Sequence, residues 1–431
     1  MDIANSKKLW EKALKVIPGG SQTLSKAPNM FTFGVSPMFL QKGEGAYVWD
    51  VDGNKFIDYP LALGPITLGH NHPSTVKAVT EQLKNGTVFS LMHPLEAEVA
   101  EMLVESIPCA EMVKFGKNGA DATSAAIRLS RKITGNDIIL SCGYHGYHDW
   151  YISSTELRGG VPEFNRELIH SFDYNNPSSL EELFSKFHGK VAAVILEPVS
   201  TVSPDKDFLH RVKEITHKNG AILVFDEIVT GFRLAMGGAS EYYGVTPDLS
   251  CIGKGMANGM PISALVGKKE LMQEMEGIFF STTYGGETLS LAATKATICE
   301  MREKSVQKHL WEMGEKLQSY TAQCIKKYGL EKHITLTDIY PKFWMNFIDQ
   351  NGDEDNDVKG LFFQETALRG VLVGGLQYIS YSHSEQVIEE TKKAFDESLE
   401  IVGTAVKSGD LKSYLKGTPP GNVFKRSSPN D

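Results

Sequence analysis

The chain has 431 residues and a formal net charge of −9, with 53 acidic against 44 basic side chains. That length allows a large buried core and, as a prior, about two to three domains. An acidic excess with both signs interspersed excludes the basic stripe of a nucleic-acid or anionic-membrane surface, so small molecules and other protein chains are the expected partners.

In chain order, Leu9, Trp10, Ala13, Leu14 and Ile17 recur at helical spacing after Ser6, read as the N-cap, and Pro18-Gly19-Gly20 stops the helix. Tyr47–Asp50 and Lys55–Asp58 flank Asp52-Gly53, a hairpin signal. Residues 1–58 are therefore read as an N-terminal helix and hairpin belonging to a small domain. Residues 59–300 alternate helical stretches with β-rich runs and are read as a large α/β domain. Within it Val191–Leu196, an amphipathic stretch with Phe208, Leu209, Val212 and Ile215, and the run Ala221–Phe225 predict a βαβ unit. Parallel strands so joined bind ligands beyond their C-terminal ends, and Glu197 and Asp226 each stand just past such an end. Residues 301–406, with a strand-like run at Phe343–Ile348 and an amphipathic stretch from Val387 to Val402, are read as a smaller α+β domain. The polar tail 407–431, with Pro419-Pro420-Gly421, is expected to be poorly ordered unless it docks on a partner.

No apolar run approaches the roughly 20 residues that span a bilayer, and the start lacks an export pattern. The five cysteines (Cys109, Cys142, Cys251, Cys299, Cys324) stand singly, without zinc spacing or a disulfide framework. A soluble, cytoplasmic protein is expected.

The chemistry gathers where the run ending in Asp226-Glu227 is followed by Gly253-Lys254-Gly255. Pyridoxal phosphate (PLP) needs a lysine amine to hold its aldehyde and a carboxylate to keep its ring nitrogen protonated, and both are offered here. Competing readings fail on spacing. The loop lacks the Walker A glycine and the Ser or Thr after the lysine, Gly253, Gly255 and Gly259 do not make GxGxxG, and no GxSxG elbow occurs. His145 and His148 are spaced HxxH, but no further ligands accompany them, so no metal is expected.

Several motifs in register carry a resemblance. They are Ile17-Pro18-Gly19-Gly20, Trp49-Asp50-Val51-Asp52-Gly53-Asn54, Leu68-Gly69-His70-Asn71-His72-Pro73, Tyr144-His145-Gly146, Glu197-Pro198-Val199, Asp226 to Arg233, Pro247-Asp248-Leu249 before Gly253-Lys254, and Thr283-Tyr284-Gly285-Gly286. Over most of its length the chain resembles the class III, fold type I, PLP-dependent aminotransferases, and within them the glutamate-1-semialdehyde aminomutase branch. The resemblance implies a large, mainly parallel seven-stranded sheet with helices on both faces, plus a smaller α+β domain. It implies that Lys254 forms the internal aldimine and shuttles the proton, that Asp226 pairs with the pyridine nitrogen, and that Ile228 and Tyr144 flank the ring. His145 and Glu197 join the cofactor-binding set. The phosphate would sit on the amides of Gly119 and Ala120 at a helix start. The family's Ser-Gly-Thr-Glu-Ala reads Asn118-Gly119-Ala120-Asp121-Ala122 here, so Asn118 and, from the neighbouring subunit of a homodimer, Thr283 are expected to replace the missing hydroxyl donors.

The substrate end departs from the family. The stretch Gln377 to His383 carries no arginine to fork a substrate carboxylate, Lys26 stands where the aminomutases have one, and Glu287 replaces the asparagine of Gly-Asn-Pro. Lysine is not an equivalent fork. Lys26 and Glu287 are therefore read as substrate-facing. The expected activity is transfer of an amino group from an amino-acid donor, glutamate above all, to a carbonyl of a polar acceptor such as a sugar or aminocyclitol. An intramolecular aminomutase and a non-catalytic protein on the same fold are the alternatives.

Overall fold

A computed structural model describes residues 1–421. Two compact units divide the described chain: residues 1–72 together with 308–421, and Pro73–Gln307. Residues 59–72 thus belong with the first unit and 301–307 with the second.

The second unit is built on seven strands: β1 (Met112–Gly116), β2 (Ile138–Cys142), β3 (Ile169–Ser171), β4 (Val191–Leu196), β5 (Ile222–Glu227), β6 (Leu249–Ile252) and β7 (Ser263–Gly267). Their order across the sheet is β1-β7-β6-β5-β4-β2-β3. Only β7 runs antiparallel to its neighbours; β6, β5, β4, β2 and β3 pair in parallel. Every residue of β4 is buried, as befits a parallel strand covered on both faces. This is the mainly parallel α/β sheet that the resemblance implies, and β4, a helix and β5 form the expected βαβ unit.

Alternation along the strands decides what faces each helix layer. On one side Ala193, Ile195, Val224 and Cys251 pack against Ala122, Ala125, Ala126 and Leu129 of helix α1 (Gly119–Thr134). The small alanines let the helix lie close on the sheet. On the other side Val194, Leu196, Leu223 and Phe225 meet Phe208, Leu209, Val212 and Ile215 of helix α2 (Phe208–Lys218). Period-two alternation carried to the end of β5 sends Asp226 to the α1 face and Glu227 to the α2 face.

In the first unit the predicted hairpin forms, Tyr47–Asp50 pairing antiparallel with Lys55–Asp58 around Gly53 at φ 88°. The opening helix runs Ala4–Val16, three residues earlier than an N-cap at Ser6 predicts, and Ser6 is buried inside it. The reason is a cap from elsewhere: the Asp52 carboxylate accepts the N–H of Asn5 at 2.6 Å and of Ser6 at 2.9 Å. The described part of the tail is also not loose. Phe33 and Thr418 exchange two backbone hydrogen bonds of 2.9 Å, and the Lys416 N–H donates to Gln364 Oε1 at 2.6 Å. A polar composition cannot foretell docking that runs through backbone groups; the remaining tail residues, 422–431, lie outside the described residues. Among the described residues no helix is long and apolar enough to cross a membrane.

Candidate active site

Asp226 ends β5 only 5% exposed. Its Oδ2 lies 2.8 Å from His145 Nδ1, and its Oδ1 accepts the Ile228 N–H at 3.2 Å. The His145 ring is buried, lies parallel to Trp150 at 6.4 Å and meets Tyr151 edge-on at 5.3 Å. Its Nε2 is buried with no hydrogen-bond partner among the described residues. Packing and one hydrogen bond thus fix the ring behind the carboxylate. On the other face of β5, Glu227 is fully buried and receives the Thr230 hydroxyl at 2.7 Å, the Ala239 and Ser240 N–H groups at 2.7 and 2.8 Å, and the Ser240 hydroxyl. Burial still holds the Glu227 carboxyl above its ordinary pKa, against those four donors.

On the neighbouring strand Cys251 lies opposite Asp226 and Ile252 opposite Glu227, so Lys254 leaves the sheet two residues past that pairing. Lys254 has φ 37°, in the left-handed region, at the start of a 3₁₀ turn, Lys254–Ala257. A side-chain-bearing residue held there costs on the order of 1 kcal/mol or more, strain that concentrates at functional sites. Burial, then the charges of Asp226 and Cys109, keep the Cys251 thiol protonated.

Helix α1 starts at Gly119 with Asn118 as its N-cap residue. The Asp121 carboxylate turns back to accept the N–H of Lys117 and of Asn118, each at 2.8 Å. The amides of Gly119 and Ala120, in the first turn, have no intrahelical acceptor and face outward along the helix axis. Asn118 is exposed, and its backbone carbonyl accepts the Ser263 hydroxyl at 2.7 Å. Ile228 sits between two glycines: a Cβ at Gly119 would meet it at 3.2 Å and one at Gly253 at 3.0 Å. Glu197, next after β4, accepts the Tyr144 N–H at 2.9 Å. Tyr144 is 47% exposed, and burial followed by the charges of Asp226 and Glu197 raises its phenol pKa. Asn118, Gly119, Ala120, Tyr144, His145, Glu197, Asp226, Ile228, Lys254 and Thr283 all belong to this one unit.

A family model described as "Aminotransferase class-III" matches residues 32–336. The chain belongs to the class III aminotransferase family. The glutamate-1-semialdehyde 2,1-aminomutase of Aquifex aeolicus (strain VF5) is 34% identical over 432 residues, covering 93% of this chain and 99% of the relative. The 3-aminobutyryl-CoA aminotransferase of Cloacimonas acidaminovorans (strain Evry) is 34% identical over 412 residues, covering 93% and 97%. Among solved structures, the PLP internal aldimine form of FumI from Sphingopyxis sp. MTA144 matches with a TM-score of 0.88 and 27% identity, covering 97% of this chain and 99% of that one. This class III aminotransferase is a PLP-dependent enzyme.

The residues present fit that cofactor. Asp226 offers a carboxylate held from behind by His145, the glycines at 119 and 253 make room for the Ile228 side chain, and the first turn of α1 leaves amides for a phosphate. Among the described residues no cluster of three or more His, Cys, Asp or Glu side chains could hold a metal.

The substrate-facing residues fare differently. Glu287 is the N-cap of helix α3 (Thr288–Lys304) and its carboxylate accepts the N–H of Leu289 at 2.7 Å and of Ser290 at 3.1 Å, the Ser290 hydroxyl at 2.6 Å and the Lys117 ammonium at 3.0 Å. Three of these donors meet Oε2 and one Oε1, so the carboxylate is held mainly as a helix cap and ion-pair partner. Burial pushes its pKa up, but the Ser290 hydroxyl, Lys117 and the two backbone donors outweigh this and hold the carboxyl below its ordinary value. Thr283 is exposed in the preceding turn. Lys26 ends a 3₁₀ turn, Leu24–Lys26, of the other unit and is exposed there. Sequence reasoning missed Lys117 and Asp121. The Asn118-x-x-Asp121 spacing is a capping pattern that could have revealed the second; nothing local points from Lys117 to Glu287, 170 residues away.

Proposed function

We propose that this enzyme passes an amino group from an amino-acid donor, glutamate the expected one, to a carbonyl of a polar, hydroxylated acceptor such as a sugar or aminocyclitol. The observation behind that choice of acceptor is that every described arginine is already engaged. Arg128, Arg131 and Arg158 donate to the carbonyls of Phe279, Asp137 and Thr155; Arg166, Arg211, Arg302 and Arg369 pair with carboxylates; Arg233 is buried and in contact. Each thus has a protein partner, and the stretch Gln377 to His383 carries no arginine to fork a substrate carboxylate.

When bound, pyridoxal phosphate supplies an electron sink for the carbon that loses its proton. The chain's part is to hold groups and move protons. The Lys254 amine would accept the proton from the substrate carbon and give it back, and its place at two strand ends would keep it within reach. Asp226 holds the ring nitrogen protonated by charge, and His145 fixes that carboxylate's orientation through Nδ1. Ile228 and Tyr144 would hold the ring between them. The Gly119 and Ala120 amides, Asn118 and, from a second copy in a homodimer, Thr283 hold the phosphate. Lys26 keeps the role the resemblance gives it, a single charge for a donor's carboxylate. Free cysteines without a disulfide support a reducing, cytoplasmic setting.

A second reading, intramolecular aminomutase, is favoured by the names of relatives such as those of Aquifex aeolicus and Persephonella marina, each 34% identical. The experiment that separates the two is a panel of amino acids added to the PLP-loaded enzyme, following loss of the cofactor's visible absorbance. A transaminase reading expects one or a few amino acids to convert it; an enzyme that no amino acid converts, yet which rearranges an amino aldehyde unaided, refutes it.

A further inference from the structure

The register Leu196↔Phe225 between β4 and β5 puts the next residues, Glu197 and Asp226, side by side at adjoining strand ends. The Glu197 backbone N–H donates to the Cys142 carbonyl at 3.0 Å, which ties the residue to β2 as well. Its side chain is partly buried, and among the described residues its carboxylate has a single protein donor, the Tyr144 N–H on Oε2. The carboxylates on the adjoining strand are matched: Asp226 by His145 and Glu227 by four donors. No ion pair reaches Glu197 among the described residues.

The place is shaped around this side chain. Gly143, at φ 116°, lies over it, and a Cβ there would come within 2.8 Å of its Cγ and Oε2. An ionised carboxylate only accepts hydrogen bonds, so a Glu197 oxygen without a protein donor is left to water or to a donor on the substrate.

We infer that Glu197 reads a hydrogen-bond donor on the substrate, a hydroxyl or ammonium beside the reacting carbon, and works against a carboxylate at that place. The inference rests on the aminotransferase reading above and gives its hydroxylated acceptor a recognition group. A site built to hydrogen-bond a hydroxyl discriminates against the analogue lacking it far more strongly than an apolar pocket discriminates between methylenes.

The test uses PLP-loaded wild type, Glu197→Gln and Glu197→Ala. Each is mixed in single turnover with trans-2-aminocyclohexanol, with cyclohexylamine, which lacks only the hydroxyl, and with glutamate, following loss of the visible absorbance. Wild type is expected to favour the amino alcohol by about tenfold or more. Glu197→Ala should bring that ratio near one, and Glu197→Gln should lower the half-saturating glutamate concentration. A merely structural role would slow all three amines together, and that outcome overturns the inference. So does a wild type that treats the two cyclic amines alike, or the loss of cofactor from both variants, which would assign Glu197 to holding it. A wild type that keeps its visible absorbance and reacts with none of the three removes the aminotransferase reading itself.

Discussion

Asp226 and His145 form a buried pair in which each partner depends on the other. Replacing Asp226 by Asn should cut turnover by roughly a thousandfold, the scale of a lost proton-controlling group, while leaving the Lys254-dependent visible absorbance in place. Lys254→Ala should abolish that absorbance. His145→Ala leaves the carboxylate without its buried donor and removes the ring packed on Trp150 and Tyr151. A stability loss of about 2–3 kcal/mol in urea titration is expected, with weaker cofactor retention. At this scale the sequence was legible where a residue type is itself the chemistry, as with Asp226 at a strand end and Lys254 between glycines. It was not legible where a side chain acts through a distant partner. His145 reads only as a member of the cofactor-binding set until β2, β4 and β5 are set side by side, because its partner lies 81 positions away.

Elements add a different kind of dependence, since helix starts here are closed by carboxylates from within and from afar. Asp52 closes the opening helix from the hairpin, Asp121 closes α1, and Glu287 closes α3 while holding Lys117. The Glu287 carboxyl is depressed in the folded state, so its contribution is fully present above the unfolded carboxyl pKa of about 4.3 and is lost as pH falls through the lower folded value. Glu287→Gln should therefore destabilise by about 1–2 kcal/mol at neutral pH, and the gap to wild type should narrow as pH drops below about 4. Urea titrations at pH 7 and pH 3.5 check this; a gap that is unchanged or wider at acid pH contradicts it. Gly238→Ala should cost about 2–3 kcal/mol, because φ is 74° and a Cβ would stand 2.2 Å from the Glu227 carboxylate. The hairpin, the βαβ unit and the start of α1 were legible from turn residues and periodicity. The antiparallel β7 was not, since a short buried apolar run carries no sign of strand direction.

For the whole molecule, the sheet topology and family membership account for PLP dependence, and what remains is how the site is completed and what it acts on. The proposed homodimer should sediment at twice the 47.5 kDa chain mass. Thr283→Ala should then weaken cofactor retention several-fold without changing that mass; a monomer that retains the cofactor fully contradicts the shared site. The substrate was the least legible part of the sequence, because an absent arginine shows only what is not held and Glu287 proved to be a helix cap. The most direct test of the central claim is the amount of 2-oxo acid formed when PLP-loaded enzyme meets its best amino-acid donor with no acceptor present. Intermolecular amino transfer predicts about one equivalent per active site and then a stop until a carbonyl acceptor is added. No 2-oxo acid from any donor, alongside unaided rearrangement of an amino aldehyde, would contradict it.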